Sequence, residues 1–167
     1  MFNLESKTAI ISGGSKGIGK AIAFKLAEAG ANIVVCSRKI ENLENCHKEA
    51  VENGYEIDII ECNTSDKESI KKVVDFTTEK FSKIDILINN AATNPYYGPI
   101  LDSEDSHWDK ILDVNIKGYF NFAKICSDSM IENKSGKIIN VSSIAAKTPL
   151  EGLGVYNISK AAVVMLS

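Results

Sequence analysis

Residues 7–30 read KTAIISGGSKGIGKAIAFKLAEAG. The apolar run at 7–12 is too short for a helix and stands directly before four glycines, Gly13, Gly14, Gly17 and Gly19. Beyond them Ile18, Ile22 and Leu26, with alanines between, recur at helical spacing, and Gly30 stands where a helix C-cap is expected. The stretch predicts a strand, a glycine turn and a helix. Missing side chains let such a turn tighten and let backbone N–H groups approach a phosphate, whose charge the helix N-terminus favours. Ordinary tight turns use the same chemistry, and the fingerprint GxGxxG is not present at this turn. Nor is it a P-loop, because Gly19-Lys20 is followed by Ala21.

Outward from this unit the pattern repeats. Strand-like runs fall at 32–36 (NIVVC), 55–61 (YEIDIIE), 83–88 and 137–141 (KIINV). Helical spacing covers 39–53, 66–81 with Ser65 or Asp66 as cap, 107–132, and a last helix starting near Tyr156. In the long stretch Trp108, Ile111, Leu112, Asn115, Tyr119, Phe122 and Ile125 recur mostly three or four apart. Repeated strand–helix alternation predicts an α/β protein, a doubly wound parallel sheet with helices on both faces in three layers. Right-handed crossovers then collect the loops after the strands at one edge, where such folds bind ligands.

Composition sets the outer bounds. With 167 residues, 44% hydrophobic and 25% charged, the chain fits one folded domain spanning 1–167. A net charge of −3 gives no general attraction to nucleic acid or an anionic membrane. Neither the opening MFNLESK nor any later run carries a leader-like or spanning apolar segment. Cys36, Cys46, Cys62 and Cys126 lack zinc-ligand spacing and read as reduced, structural thiols of a reducing, cytoplasmic compartment. His47 and His107 read as solvated or locally bonded, so no metal is expected. A Gly-x-Ser-x-Gly elbow is absent, which weakens a hydrolase reading.

The residues able to do chemistry cluster at the expected ligand edge. A carboxylate after the second strand would take the ribose hydroxyls of NAD and repel a 2′-phosphate. This chain has Ser37-Arg38-Lys39 there, with Lys16 in the glycine turn, a set that favours NADP(H) and leaves NAD(H) possible. Tyr156 and Lys160, four apart, share a helix face, and a nearby ammonium favours phenolate over phenol. Ser143 lies in the loop before them, able to donate to a carbonyl or alkoxide oxygen. Asn115 is polar inside an apolar stripe and reads as an anchor for an irregular backbone or for water and backbone in an active site. Asn89 and Asn90 end the fourth strand, while Asp85 at its other end reads as structural.

Taken together these motifs resemble the classical short-chain dehydrogenases/reductases along essentially the whole chain. The family's TGxxxGIG appears as SGGSKGIG, Ser12 to Gly19, and its NNAG as Asn89-Asn90-Ala91-Ala92. DVNIKG holds the helix asparagine as Asn115, NVSSIAA the active serine as Ser143, and YNISK the YxxxK pair. The resemblance implies a Rossmann-like fold. It assigns Gly13, Ser15, Lys16, Gly17, Ile18, Gly19, Ser37, Arg38, Asn63, Asn90, Ala91, Tyr156 and Lys160 to the cofactor. Asn63 stands where an acidic residue is common and could still bond adenine. Tyr156 would exchange a proton with the substrate oxygen, Ser143 would polarise it, Lys160 would hold ribose hydroxyls and Asn115 a relay water.

The implied reaction moves a hydride between the nicotinamide and a ketone, aldehyde or secondary alcohol. The Asn94-Pro95-Tyr96-Tyr97-Gly98 loop looks like that of 3-oxoacyl carrier-protein reductase-like and carbonyl-reductase-like members. Members commonly form a homodimer or homotetramer through the helices at 107–132 and after 155. They also run well past Ser167, so the resemblance implies a C-terminally truncated domain, its later strands missing and its fifth strand an exposed edge. An NAD-preferring enzyme and a cofactor-binding remnant without turnover are the alternatives.

Overall fold

Strands buried on both faces need continuous apolar runs, and Thr8–Ser12 is buried at every position. It is β1 of a computed structural model that describes residues 3–167; residues 1 and 2 of the MFNLESK stretch and of the expected 1–167 domain lie outside them. The chain continues through α1 (Gly17–Glu28), β2 (Asn32–Ser37), α2 (Ile40–Glu52), β3 (Asp58–Glu61), α3 (Lys67–Phe81) and β4 (Ile86–Asn89). Then come α4 (Asp105–Leu112), a π turn (Asp113–Lys117), α5 (Gly118–Glu132), β5 (Lys137–Asn140) and α6 (Gly154–Met165). All strands pair in parallel in the order β3-β2-β1-β4-β5. β1 lies between β2 and β4, so the winding reverses there, and a crevice opens at the strands' C-terminal ends.

The two faces carry separate cores. Ile10, Val34 and Leu87 meet Ile70 and Val73 of α3 and Phe122 and Cys126 of α5. Ile11, Ile33, Val35 and Ile88 meet Ala23 of α1 and Leu43 and Ala50 of α2. β5 is an outer strand, with Ile138 and Ile139 exposed at 41% and 51%. All four cysteines are free and buried. Among the described residues no helix is long and apolar enough to cross a membrane.

The structure refines three boundaries. β3 starts at Asp58 because its register with β2 begins at Val34–Asp58; Tyr55, read as strand, instead packs its ring on Phe24 at 5.6 Å. Asp66 is the α3 cap, accepting from the Glu68 N–H at 3.0 Å. The stretch read as one helix over 107–132 begins at Asp105, where Glu104 and His107 cap each other, and widens into the π turn. The extra residue in that turn buries Asn115 together with Gly118 and Tyr119. Gly118 is needed there, since a Cβ would lie 2.7 Å from the Thr64 carbonyl oxygen.

Asp85, read as structural, joins the lower ends of β1 and β4. It accepts from Lys7 Nζ at 2.9 Å and from the Thr8 N–H at 3.0 Å, and Lys83 Nζ lies at 3.5 Å. Burial pushes its carboxyl up, but these partners together hold it below its ordinary value. Its stabilising effect is therefore present above the unfolded carboxylate range and is lost as pH falls through the lowered value. Asp85→Asn should cost about 1–3 kcal/mol near neutral pH, and urea melts should show the gap closing in acid. A gap independent of pH would contradict this. Asn115→Ala should cost about 2–4 kcal/mol by thermal melting, because three bonds from its carboxamide to Thr93 and Ser159 disappear.

Candidate active site

The glycine turn is built against the segment after β4. A Cβ on Gly13 would lie 2.8 Å from Ala91 Cα, and one on Gly19 would lie 2.5 Å from Asn90 Nδ2. Ser12 sits beneath, donating to the Ile88 carbonyl at 3.3 Å and accepting from the N–H groups of Asn90 and Ala91 at 3.0 and 3.2 Å. Asn90 Nδ2 donates back to the Ser12 and Gly13 carbonyls at 3.1 and 3.0 Å. The exchange of Thr for Ser in the family motif keeps the hydroxyl that makes these bonds.

A cleft of about 460 Å³ opens over this joint. Gly13, Ser15, Lys16, Gly17 and Ile18 line it from the turn, Ser37 and Arg38 from the end of β2, and Asn90 and Ala91 from the end of β4. Gly19 packs behind rather than lining it. Asn63 is not among the lining residues: it is exposed, and its carboxamide oxygen accepts from the Ser65 N–H and hydroxyl. Its neighbours Cys62 and Thr64 face the cleft instead. Lys39, read from the sequence with Ser37 and Arg38, also lines it, as do Ala92, Val114 and Asn42, the last of which no motif named. Asn42 could have been found, because it lies one helical turn beyond Ser37-Arg38-Lys39.

The cleft fits a dinucleotide. Gly17, at φ +56°, has open space where a Cβ would stand, leaving its backbone approachable. Ser37 Oγ is buried without a hydrogen-bond partner, as expected of a group awaiting one from a ligand. Three cations, Lys16, Arg38 and Lys39, border the same space. A larger groove, about 800 Å³, follows the outer face of α1 past Leu4, Ile22 and Leu26. It is nearly all apolar, and its charged pair, Lys25 and Glu28, is bonded to itself, so it offers no convergent polar group.

Beyond the cleft, the remaining candidates lie on α6 and in the loop after β5. Ser143 caps a short 3₁₀ turn, accepting from the Ala145 N–H at 3.1 Å and keeping its own proton to donate. Tyr156 is half-buried on the first turn of α6, and Lys160, one turn on, is only 2% exposed. The Lys160 ammonium stands 5.9 Å from the Tyr156 ring centroid but donates to the Val141 carbonyl at 2.7 Å and to Tyr119 Oη at 3.3 Å. Burial lowers its pKa to about 8.

Asn115 acts as a clamp. Its Oδ1 accepts from the Thr93 N–H at 2.8 Å, while Nδ2 donates to the Thr93 carbonyl and to Ser159 Oγ, each at 3.0 Å. Both amide protons are spent, so its carboxamide has one lone pair left for the relay water that the sequence suggested. Ser159, which donates to the Tyr156 carbonyl at 2.8 Å, completes the link from the loop after β4 to α6. Sequence reading missed it because a serine inside YxxxK carries no signal of its own. Gly98 and Leu153 form a further bridge between the two loops. Among the described residues no cluster of metal-ligating side chains occurs.

Comparison with known proteins agrees with this geometry. The sequence profile of the short chain dehydrogenase family matches residues 7–167. The chain is 37% identical over 164 residues to dehydrogenase/reductase SDR family member 4 of Oryctolagus cuniculus, covering 98% of this chain and 63% of that protein. Its identity to the Homo sapiens protein of the same name is 36%, covering 98% and 59%. The chain thus spans about three-fifths of the curated relatives it matches. Among solved structures, an NAD+-bound xylitol dehydrogenase superposes with a TM-score of 0.93 at 30% identity, covering 98% of this chain and 63% of that one. A metagenomic short-chain oxidoreductase in complex with NADP gives 0.92 at 32%, covering 98% and 74%. With a strand-ending glycine turn, a cleft at the β1–β4 reversal and a matching profile from residue 7 onward, the chain belongs to the short-chain dehydrogenase family.

Proposed function

We propose that this chain binds NADP(H) at the β1–β4 cleft and serves an oxidoreductase acting on a ketone, aldehyde or secondary alcohol. The observation that supports the reading is the glycine-turn cleft at the strands' C-terminal edge, with Lys160 5.9 Å from the Tyr156 ring on the helix that follows the Ser143 loop. Backbone N–H groups of the turn at the start of α1 would hold the pyrophosphate. Lys16 and Arg38 would bind a 2′-phosphate, with no carboxylate at the end of β2 to repel it. The structural neighbours include both an NAD+-bound and an NADP-bound protein, so the preference is read from these cations.

NADP(H), when bound, supplies or accepts the hydride. The protein's part is proton transfer and orientation. Tyr156 Oη exchanges a proton with the substrate oxygen, and the Ser143 hydroxyl donates a hydrogen bond to that oxygen. With a pKa of about 8, Lys160 is mostly charged at neutral pH, so an ammonium stands beside the Tyr156 ring. Asn115 keeps the loop after β4 at a fixed distance from α6. The whole set works as one cofactor-binding domain, and four buried free thiols support a reducing, cytoplasmic setting. Half-exposed Phe120 on α5 and exposed Met165 on α6 are apolar groups that a homodimer or homotetramer would cover.

Calorimetric titration should show NADPH binding more tightly than NADH. Arg38→Ala should weaken NADPH by about 10–100-fold and leave NADH nearly unchanged; equal losses for both would remove the 2′-phosphate role. Tyr156→Phe should lower NADPH-dependent turnover across a panel of ketones and aldehydes by about 100-fold or more with NADPH binding retained. Undiminished turnover would exclude Tyr156 as the proton donor.

A further inference from the structure

Tyr119 enters the sequence as one member of an apolar helical stripe, a position that Phe or Leu would fill as well. Packing leaves its hydroxyl unexplained. The residue is 1% exposed, and a phenol so placed is costly unless its hydroxyl is bonded. It has two partners: it donates to the Val141 carbonyl at 3.2 Å and accepts from Lys160 Nζ at 3.3 Å. Lys160 Nζ donates to the same Val141 carbonyl at 2.7 Å and lies 5.2 Å from the Tyr119 ring centroid. The three groups close a triangle just past the end of β5. At its other end Tyr119 is fixed by Asn89, whose Nδ2 donates to the Tyr119 carbonyl at 3.2 Å.

Among the described residues no competing charge is bonded to the ammonium. α6 contributes the Tyr156 ring and α5 the Tyr119 ring and hydroxyl. From the π turn, Asn115 is committed to Thr93 and Ser159, and Asp113 pairs with Lys117 at 2.8 Å. In the loop after β5, the Ser142 hydroxyl bonds the Lys160 carbonyl rather than its ammonium. Among the described residues no carboxylate pairs with Lys160, so its buried charge is balanced by one carbonyl, one phenol and two ring faces.

We propose that Tyr119 is a positioning residue for the active site: its hydroxyl, held on the Val141 carbonyl, fixes the Lys160 ammonium and stabilises its charged form. This rests on the reading of Lys160 as part of the proton-transfer set. The burial that lowers Lys160 acts on Tyr119 in the opposite sense, raising its hydroxyl well above the ordinary range, and the nearby Tyr156 adds to that rise. Tyr119 thus stays a neutral phenol while Lys160 titrates beside it.

The test is Tyr119→Phe in the 167-residue chain, which removes the hydroxyl and keeps the ring, with Tyr119→Met as a second hydroxyl-free filling and melting curves as the folding control. Lys160 is followed by ¹³Cε NMR of lysine-labelled protein, its resonance assigned with Lys160→Arg. Both variants should lower the Lys160 midpoint by about 0.5–1 pH unit, because the charged form loses an acceptor. The alkaline limb of the pH profile for NADPH oxidation with a ketone should move down with it. An unchanged midpoint in folded variants would overturn the proposal. A shifted midpoint in chains that show no turnover, wild type included, would overturn the catalytic reading of Lys160 and with it the positioning role, while leaving the contact standing.

Discussion

Beyond the ladder that pairs β1 with β4, one small hydroxyl ties their C-terminal ends together. Ser12 Oγ donates to the carbonyl of Ile88 and receives the N–H groups of Asn90 and Ala91, so two parallel strands with no direct connection share their C-terminal ends. Asn90 answers with two bonds to the glycine turn. Because the turn is pressed against Ala91 and Asn90, only glycine fits at 13 and 19, and the cleft takes its shape from that contact. Every later element is placed relative to this floor.

From there the connections run outward by hydrogen bonds more than by packing. Asn89, next to the joint, reaches the Tyr119 carbonyl and Asn140 Oδ1; Tyr119 reaches Lys160; Asn115 reaches both Thr93 and Ser159. These bonds gather β4, β5, α5 and α6 around a buried ammonium. Such a charge is costly in a low-dielectric interior, and the lowering of Lys160 records that cost. The Val141 carbonyl and the Tyr119 hydroxyl accept from the ammonium and offset that cost in part.

Much of the fold was legible because parallel strands leave a distinct trace. NIVVC and TAIIS are apolar without alternation, and glycines punctuate the helices between them, so element order and class could be read directly. The π turn was legible only as the irregular backbone that a polar Asn115 inside an apolar stripe allowed for; its residues keep near-helical spacing, so the extra residue itself leaves no trace. The site divides the same way. Tyr156 and Lys160 share a face because four-residue spacing requires it, whereas the partner of Lys160 comes from a helix 41 residues earlier, outside the reach of local pattern. Local pattern also did not show that the Asn63 carboxamide oxygen closes a turn onto Ser65.

Bound at the β1–β4 joint, a dinucleotide would direct its reacting end toward α6. A ¹H–¹⁵N shift map of the chain titrated with NADPH tests it most directly. The account predicts changes concentrated at Gly13–Gly19, Arg38, Asn90–Ala92 and the segment from Ser143 to Lys160, with Leu4 and the outer face of α1 quiet. Changes confined to the α1 groove, or none in a folded chain, would contradict it.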